Sequence, residues 1–301
     1  MSLNYHWQLL HTIQRTQHVL QKKPPNLPPS ALSKLVSGGI NNHEFSLHYQ
    51  PKLNLRTGLL MGFEALIRWQ HPKHGLLTPN QFLPQLEHND ILITLGEWVL
   101  NETLLQIQRW HDAGTGFHKV SINISGRHCV HPDFSTRIHR IMDKHPHIPM
   151  NCIEFEILES AIIDDLPKIG RMIDEFRAEG VHFSLDDFGT GYASLNYLKH
   201  LSINTLKIDR SFVCHMLDNP SDRALVATTI SLAQTFHCEV VAEGVESLAQ
   251  GHALMQLGCD NVQGYAIARP MPGADVPAWI AQLSNIILAM HYDYDTALIT
   301  H

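Results

Sequence analysis

From about residue 45 onward, short β-branched and apolar runs alternate with longer segments whose apolar residues recur at helical spacing. The short runs predict strands at 45–50, 59–68, 118–125, 152–158, 181–186, 203–208, 238–243 and 261–265. Helical patterns occupy 93–112, 133–144, 165–179, 192–199, 221–236, 247–257 and 274–286. Eight strands that alternate with helices in this way predict an α/β fold, and a TIM-like (β/α)8 barrel rather than an open sheet.

The first connection departs from this alternation. The segment PKLNLRTG, which separates the first two predicted strands, contains turn residues but is too short to hold a helix. We therefore expect the first two strands to form an antiparallel hairpin. The predicted barrel is accordingly imperfect, with an antiparallel first strand.

The N-terminal part of the chain has a different pattern. Residues 4–21 have apolar positions at helical spacing, and the following segment KKPPNLPPS has four prolines in nine residues, which is typical of a stiff, extended spacer. We expect an N-terminal helix and proline-rich linker over 1–43 and a barrel domain over 44–301. The helix is either an exposed linker or a segment that pairs with its copy in a dimer, and it is also the expected end of an upstream domain.

Each predicted strand from the second onward places a polar side chain opposite its apolar face. In 181–186, Val181, Phe183 and Leu185 share one face and Asp186 lies on the other, at the C-terminal end. The corresponding polar residues of the other strands are Glu64, Arg68, Asn123, Glu156, Lys207, Glu243 and Gln263. The C-terminal ends of barrel strands meet at one face, where the active sites of such barrels lie, so we expect these side chains to converge.

Carboxylates dominate this group. Like charges held close together do not all stay ionised unless cations neutralise them. The oxygen ligands of these side chains suit Mg²⁺ or Mn²⁺ better than zinc, and adjacent aspartates allow Asp186 to bridge two ions while Asp187 binds the second. A two-metal site of this kind serves in-line displacement at phosphorus. The alternative is a salt-bridged structural cluster. In either interpretation only two positively charged side chains, Lys207 and Arg68, offset the carboxylates. The carboxylates are Glu64, Glu156, Asp186, Asp187 and Glu243.

Composition narrows the function classes further. A formal net charge of −7 offers no basic face for DNA or for an anionic lipid surface. The five cysteines are scattered without a C-x-x-C motif, which indicates reduced thiols in a cytoplasmic protein. No apolar run approaches the roughly 18–20 residues that span a bilayer. The 22 histidines include no H-E-x-x-H motif, and we interpret them as solvated side chains.

Several motifs together resemble those of the EAL domain family. They are FEALIRW (63–69), SINIS (121–125), EILES (156–160), DDFGTGYASL (186–195), LKID (206–209), VVAEGVE (240–246) and QGY (263–265). The resemblance covers about residues 44–285. That family hydrolyses cyclic di-GMP on an imperfect barrel with an inverted first strand. The resemblance therefore implies a bacterial signalling enzyme that cleaves cyclic di-GMP to linear 5′-pGpG.

The resemblance also implies a role for each matched residue. Glu64, Asn123, Glu156 and Asp186 would hold one metal ion, and Asp186, Asp187 and Glu243 the other. Lys207 would orient the attacking water between them, with Glu243 and Gln263 assisting. Contacts to the substrate are expected from Gln50, Leu66, Arg68, Asn123, Asp187 and Gln263. Glu159 would brace the loop that carries DFGTGY, which in this family couples the dimer interface to metal binding.

One position departs from the family pattern. Leu158 stands where the family usually has threonine, and this removes a hydroxyl near the loop but no predicted metal ligand. Activity is still expected. The alternatives are a catalytically weak cyclic di-GMP receptor or a protein-interaction module, because degenerate members of the family bind without cutting. The resemblance further implies a homodimer and an upstream sensory or GGDEF-type domain.

Overall fold

The computed structural model describes residues 29–159, 161, 165–189, 198–199 and 201–284. The predicted helix at 4–21, most of the proline-rich segment and most of the predicted helix at 192–199 lie outside these residues. The strands overlap all eight predicted ones, and short strands β3 and β10 are additional. They are β1 (Phe45–Asn54), β2 (Leu60–His71), β3 (Gly75–Leu77), β4 (Val120–Ile124), β5 (Ile153–Leu158), β6 (His182–Phe188), β7 (Thr205–Ile208), β8 (Glu239–Ala242), β9 (Asn261–Gln263) and β10 (Met271–Pro272).

Eight of these strands close into a barrel in the order β1-β9-β8-β7-β6-β5-β4-β2, because β1 also pairs with β2. Along the run β2-β4-β5-β6-β7-β8-β9, each pair of neighbouring strands is parallel. Strand β1 is antiparallel to both β2 and β9. The predicted α/β barrel with an antiparallel first strand is thereby confirmed.

Helices cover the outside of the barrel. They are α1 (Pro29–Asn41), α2 (Pro79–Phe82), α3 (Ile91–Asp112), α4 (Gly126–Cys129), α5 (Phe134–Met142), α6 (Leu166–Ala178), α7 (Arg210–His215), α8 (Pro220–Thr235) and α9 (Leu248–Leu257), followed by helical residues 276–284. Local sequence explains several of their starts: Asp165, Asn219 and Ser247 accept backbone hydrogen bonds at the N-termini of α6, α8 and α9. In the described part of the chain, no helix is both long and apolar enough to cross a bilayer.

The hydrophobic core lies between the barrel and its helices. On β5 and β6, Phe155 and Phe183 are fully buried and their ring centroids are 5.6 Å apart. Phe176 of α6 packs edge-on against Phe155 at 6.1 Å. These outward apolar positions alternate with the inward polar ones, as the period-two pattern of the strands predicts. The helices thus cover one face of the sheet and leave the other face to the polar side chains of the site.

Helix α1 lies in the stretch that the sequence assigned to the linker. Leu32 and Val36, four residues apart on one face of α1, are buried in the core, and the helix packs against α3. The stretch that the sequence placed with the linker therefore contains a helix that packs into the core. Proline at the first turn starts a helix as readily as it stiffens a spacer, so the prolines alone do not reveal this helix. The domain division at residue 43 itself stays a prediction.

His128 on α4 is an exception to the expectation of solvated histidines. The residue is 1% exposed, and its ring packs edge-on against Phe134, with ring centroids 4.9 Å apart. Neither ring nitrogen has a hydrogen-bond partner among the described residues. Burial, helped by the positive charge of Arg137 and by His131, lowers the pKa of His128 to about 4. The folded protein therefore holds this imidazole neutral.

His128 is expected to make the protein less stable as the pH falls. Its folded-state pKa lies below that of the unfolded chain, so protonation favours unfolding once the pH drops below about 6.5. Between pH 7.5 and pH 5.0 this one group should cost about 2 kcal/mol of unfolding free energy. The His128→Met variant should lose less stability than the wild type over that range in urea unfolding. Equal pH dependence of the two proteins would contradict the neutral, unpartnered imidazole.

Candidate active site

A buried lysine joins three of the predicted strand-end carboxylates. Lys207 of β7 is fully buried, and its Nζ lies 2.5 Å from Glu156 Oε2, 3.0 Å from Asp186 Oδ1 and 2.5 Å from Glu243 Oε1. Burial alone lowers the pKa of a lysine, but Asp186, Glu156 and Glu243 raise that of Lys207 well above its usual value. Lys207 is therefore charged and holds side chains from β5 and β6 and from the end of β8 together at the barrel mouth.

The two adjacent aspartates sit in a β-bulge. Leu185 pairs with Leu206 and Phe188 with Ile208, so Asp186 and Asp187 together stand opposite Lys207. Asp187 has a φ of +54°, in the left-handed region that aspartate tolerates better than most residues. In a regular strand two successive side chains point to opposite faces. The bulge instead brings a carboxylate oxygen of both aspartates within 4.8 Å of one from Glu243.

Because the backbone at position 187 is left-handed, we expect the usual order of stability of alanine and glycine variants to be reversed there. In an ordinary strand, glycine is less stable than alanine by about 0.5–1 kcal/mol. At a φ of +54° the alanine Cβ should cost about 1–2 kcal/mol, so we expect Asp187→Gly to be more stable than Asp187→Ala. Both variants lose the carboxylate, so urea unfolding without divalent ions isolates the backbone effect. A more stable alanine variant would show that the bulge is not maintained.

The three carboxylates of this cluster resist full ionisation. Burial, then Asp186 and then Asp209, raise the pKa of Asp187 to about 7. Burial also raises the pKa of Asp186 and of Glu243, against the opposing effect of Lys207. A cation at this position would relieve both the lost hydration and the mutual repulsion of the carboxylates. We name Asp186, Asp187 and Glu243 the acidic cluster.

Glu64 of β2 lies beside the acidic cluster and is held by amides. Asn123 Nδ2 donates to Glu64 Oε1 at 2.8 Å, and Gln263 Nε2 donates to Glu64 Oε2 at 2.5 Å. Gln263 Nε2 also lies 3.2 Å from Gln50 Oε1, and Gln50 Nε2 donates to Ala268 O at 3.0 Å. The predicted residues Glu64, Asn123, Gln263 and Gln50 thus form one hydrogen-bonded group on the side of the mouth nearest β1.

A glycine allows the ends of β8 and β9 to approach closely. A Cβ on Gly264 would lie 2.1 Å from the carbonyl oxygen of Val245, which is far inside contact distance. Val245 N also donates to Gln263 O at 3.1 Å. The close crossing of these two segments positions Glu243 and Gln263 on neighbouring walls of the same site.

The two predicted metal sets are assembled to different degrees. Among the described residues, only the acidic cluster gathers three metal-ligating carboxylates within 4.8 Å. In the other set, Glu156 is bound by two ammonium groups and Glu64 by two amides, while Asp186 belongs to both sets. The predicted ligands therefore share one mouth, but the first set is not gathered as closely as the second.

The remaining predicted residues border this group. Arg68 is mostly buried, with Nη1 donating to Ile67 O at 2.9 Å, and Leu66 is half-buried on the same strand. Glu159 is buried and accepts a hydrogen bond from Gly189 N–H at 3.0 Å, at the start of the DFGTGY loop. Leu158 is 42% exposed beside it. Residues 190–197 of that loop lie outside the described part of the chain.

Four residues that lie beneath or beside the site escaped the sequence prediction. Lys52 Nζ lies 2.6 Å from Glu156 Oε1, 2.6 Å from Ser121 Oγ and 3.4 Å from Glu154 Oε2. Asp209 caps the start of α7 and lies beside Asp187. Residues two apart in a strand face the same side of the sheet. The residues that share the inner face with Gln50, Asn123 and Glu156, one level deeper in the barrel, are therefore Lys52, Ser121 and Glu154. Asp209 ends the quoted LKID motif.

The charges in the barrel fit divalent cations. Six carboxylates lie within electrostatic reach of Lys52 and Lys207, which balance two of them, and Arg68 beside Glu64 balances a third. When all six carboxylates are ionised, three negative charges remain uncompensated, more than one divalent cation neutralises. The donors are hard oxygens, which suit Mg²⁺ or Mn²⁺. The six are Glu64, Glu154, Glu156, Asp186, Asp187 and Glu243.

Comparison with known proteins agrees with this geometry. The family model described as EAL domain matches residues 33–270. The bifunctional diguanylate cyclase/cyclic di-GMP phosphodiesterase MucR of Pseudomonas aeruginosa is 38% identical over 242 residues, which are 80% of this chain and 35% of MucR. The cyclic di-GMP phosphodiesterase PA2567 of the same species is 34% identical over 246 residues, 81% of this chain and 42% of PA2567. The chain therefore spans about a third to two fifths of these relatives.

A solved structure extends the likeness to three dimensions. The PaMucR phosphodiesterase in complex with c-di-GMP superposes with a TM-score of 0.77 at 36% identity. The match covers 82% of this chain and 99% of the PaMucR chain. With the family model matching well over half of the residues and the acidic cluster at the mouth of the same kind of barrel, this chain belongs to the EAL domain family.

Proposed function

We propose that this chain hydrolyses cyclic di-GMP to linear 5′-pGpG with two divalent cations, Mg²⁺ or Mn²⁺. The observation that carries the proposal is the Lys207-centred acidic site, in which Asp186, Asp187 and Glu243 bring ligand atoms within 4.8 Å at the barrel mouth. The solved PaMucR complex, which holds c-di-GMP on a chain of the same fold and family, supports the choice of substrate.

The residues present divide into two ligand sets for these cations. One set would be Glu64, Asn123, Glu156 and Asp186, and the other Asp186, Asp187 and Glu243. Bound divalent cations supply an acidified water and neutralise charge that develops on the phosphate. The net negative charge of the site favours their binding, and bound cations would relieve the repulsion from Asp186 that helps to raise the pKa of Asp187.

The protein's own groups would act on the substrate and the water. The three N–H bonds of Lys207 now point to carboxylates, and once cations bind those carboxylates one N–H would turn to orient the attacking water. The water oxygen would form a bond to phosphorus, and the bond from phosphorus to the 3′-oxygen would break. A proton of the water would end on that 3′-oxygen. Gln263 would position Glu64, while Gln50, Leu66 and Arg68 would contact the dinucleotide.

A hydrolysis assay tests the proposal directly. Purified protein is incubated with cyclic di-GMP and Mg²⁺, Mn²⁺, Ca²⁺ or EDTA, and nucleotides are separated by chromatography. We expect linear 5′-pGpG with Mg²⁺ or Mn²⁺ and none with EDTA, and no cleavage of cyclic di-AMP under the same conditions. Binding of cyclic di-GMP without cleavage in any of these ions would instead identify a receptor, and attention would turn to Leu158 and its loop.

The wider assembly is also part of the proposal. We expect a homodimer whose interface is coupled to the site through Glu159 and the DFGTGY loop, and a GGDEF-type or sensory domain upstream. The hydrogen bond from Gly189 N–H to Glu159 supports a brace between the end of β5 and that loop. The cytoplasmic location expected from the sequence belongs with this assembly.

A further inference from the structure

We infer that Lys52 is a positioning residue for Glu156, holding one oxygen of that carboxylate from beneath so that the other faces the cation site. The inference rests on the proposed function, because it concerns the cation site of that reaction. Lys52 enters from β1, which runs opposite to its neighbours. Gln50 pairs with Glu64 at the mouth, and Lys52, two residues on, pairs with Gly62, one level deeper.

The contacts of Lys52 use its full hydrogen-bonding capacity. Its ammonium group has three N–H bonds, and three acceptors surround it: Glu156 Oε1 and Ser121 Oγ, both at 2.6 Å, and Glu154 Oε2 at 3.4 Å. Ser121 Oγ in turn donates to Glu154 Oε2 at 2.5 Å. The side chain is only 5% exposed. Lys52 is therefore fixed by the interior of the barrel and not by solvent.

Glu156 is held at both oxygens by two different lysines. Lys52 contacts Oε1 at 2.6 Å and Lys207 contacts Oε2 at 2.5 Å. Lys207 also contacts Asp186 and Glu243, so its position depends on what the acidic cluster binds. The other contacts of Lys52 are to Ser121 and Glu154, beneath the mouth. Lys52 thus keeps Glu156 oriented independently of the acidic cluster, as partners that orient metal ligands do.

The alternative is a purely structural role, in which Lys52 only neutralises the buried carboxylate of Glu154. The two roles separate in the charge-balanced double variant Lys52→Met/Glu154→Gln. It removes one positive and one negative charge, so the interior keeps its net charge while Glu156 loses its lower partner. The matched single variant Glu154→Gln keeps Lys52 on Glu156, and Lys52→Arg keeps the charge at that position.

The test measures Mn²⁺ binding without nucleotide, from the electron paramagnetic resonance signal of free Mn²⁺. We expect Glu154→Gln to bind within about threefold of the wild type and the double variant at least about tenfold more weakly, with Lys52→Arg recovering part of the loss. At saturating Mn²⁺, the double variant should regain most of its kcat with an unchanged KM for cyclic di-GMP. Circular dichroism and thermal unfolding establish that each variant is folded.

Two outcomes would overturn the inference. The first is Mn²⁺ binding by the folded double variant within about threefold of the wild type, which would leave Lys52 only its pairing with Glu154. The second is loss of folding in the double variant, which would make Lys52 a requirement of the barrel itself. If the wild type binds no Mn²⁺, the failure lies with the proposed two-cation reaction rather than with the role of Lys52.

Discussion

Replacing Asp186 with asparagine is expected to abolish hydrolysis of cyclic di-GMP, with turnover falling at least about a thousandfold. Asp186 belongs to both ligand sets and contacts Lys207 at 3.0 Å, so its charge serves the whole site. An amide is neutral, and its NH₂ group donates where a cation needs an acceptor. A thousandfold loss corresponds to about 4 kcal/mol of transition-state stabilisation, which is within what metal ions contribute.

The asparagine variant should be measured together with Asp218→Asn, an exposed aspartate on the surface. We expect the control to match the wild type in rate and the Asp186 variant to stay folded, because the substitution conserves shape. Glu64→Ala should lose turnover as Asp186→Asn does, whereas Asp187→Asn should still bind the dinucleotide. Wild-type turnover by Asp186→Asn would contradict the two-cation assignment.

Lys207→Met is expected to weaken the fold as well as the reaction. Removing one partner of a buried ion pair leaves the other charge uncompensated and costs about 3–5 kcal/mol, and Lys207 has three such partners. The metal-free variant should therefore unfold at a markedly lower temperature than the wild type. Divalent cations should restore part of that loss, since a ligand at a hundred times its Kd adds about 2.7 kcal/mol.

Thermal unfolding of Lys207→Met with and without Mn²⁺ measures both effects, and Lys73→Met, at an exposed lysine, is the matched control. Protonation of the acidic cluster should reduce the cost at low pH, because the pKa values of Asp186 and Glu243 are already raised. A Lys207 variant as stable as the wild type without metal would show that the ammonium is not the charge that holds the mouth together.

The sequence by itself determined the barrel and most of the candidate site. Strand and helix periods differ, and apolar residues on alternate positions specify which face of each strand meets the helices. That pattern placed Glu156, Asp186 and Lys207 on the inner face, and the parallel arrangement brought their strand ends together. The short link between β1 and β2 likewise required the antiparallel hairpin.

Only the tertiary structure decided the features that depend on contacts between distant segments. Alternation directs Asp186 and Asp187 to opposite faces, and the bulge opposite Lys207 brings both into the mouth. Proline is compatible with both a helix start and a spacer, so the sequence did not identify helix α1. The structure identifies it by the burial of Leu32 and Val36 in the core. The pairing of Lys52 with Glu156, 104 residues away, depends on barrel closure, which no local pattern encodes.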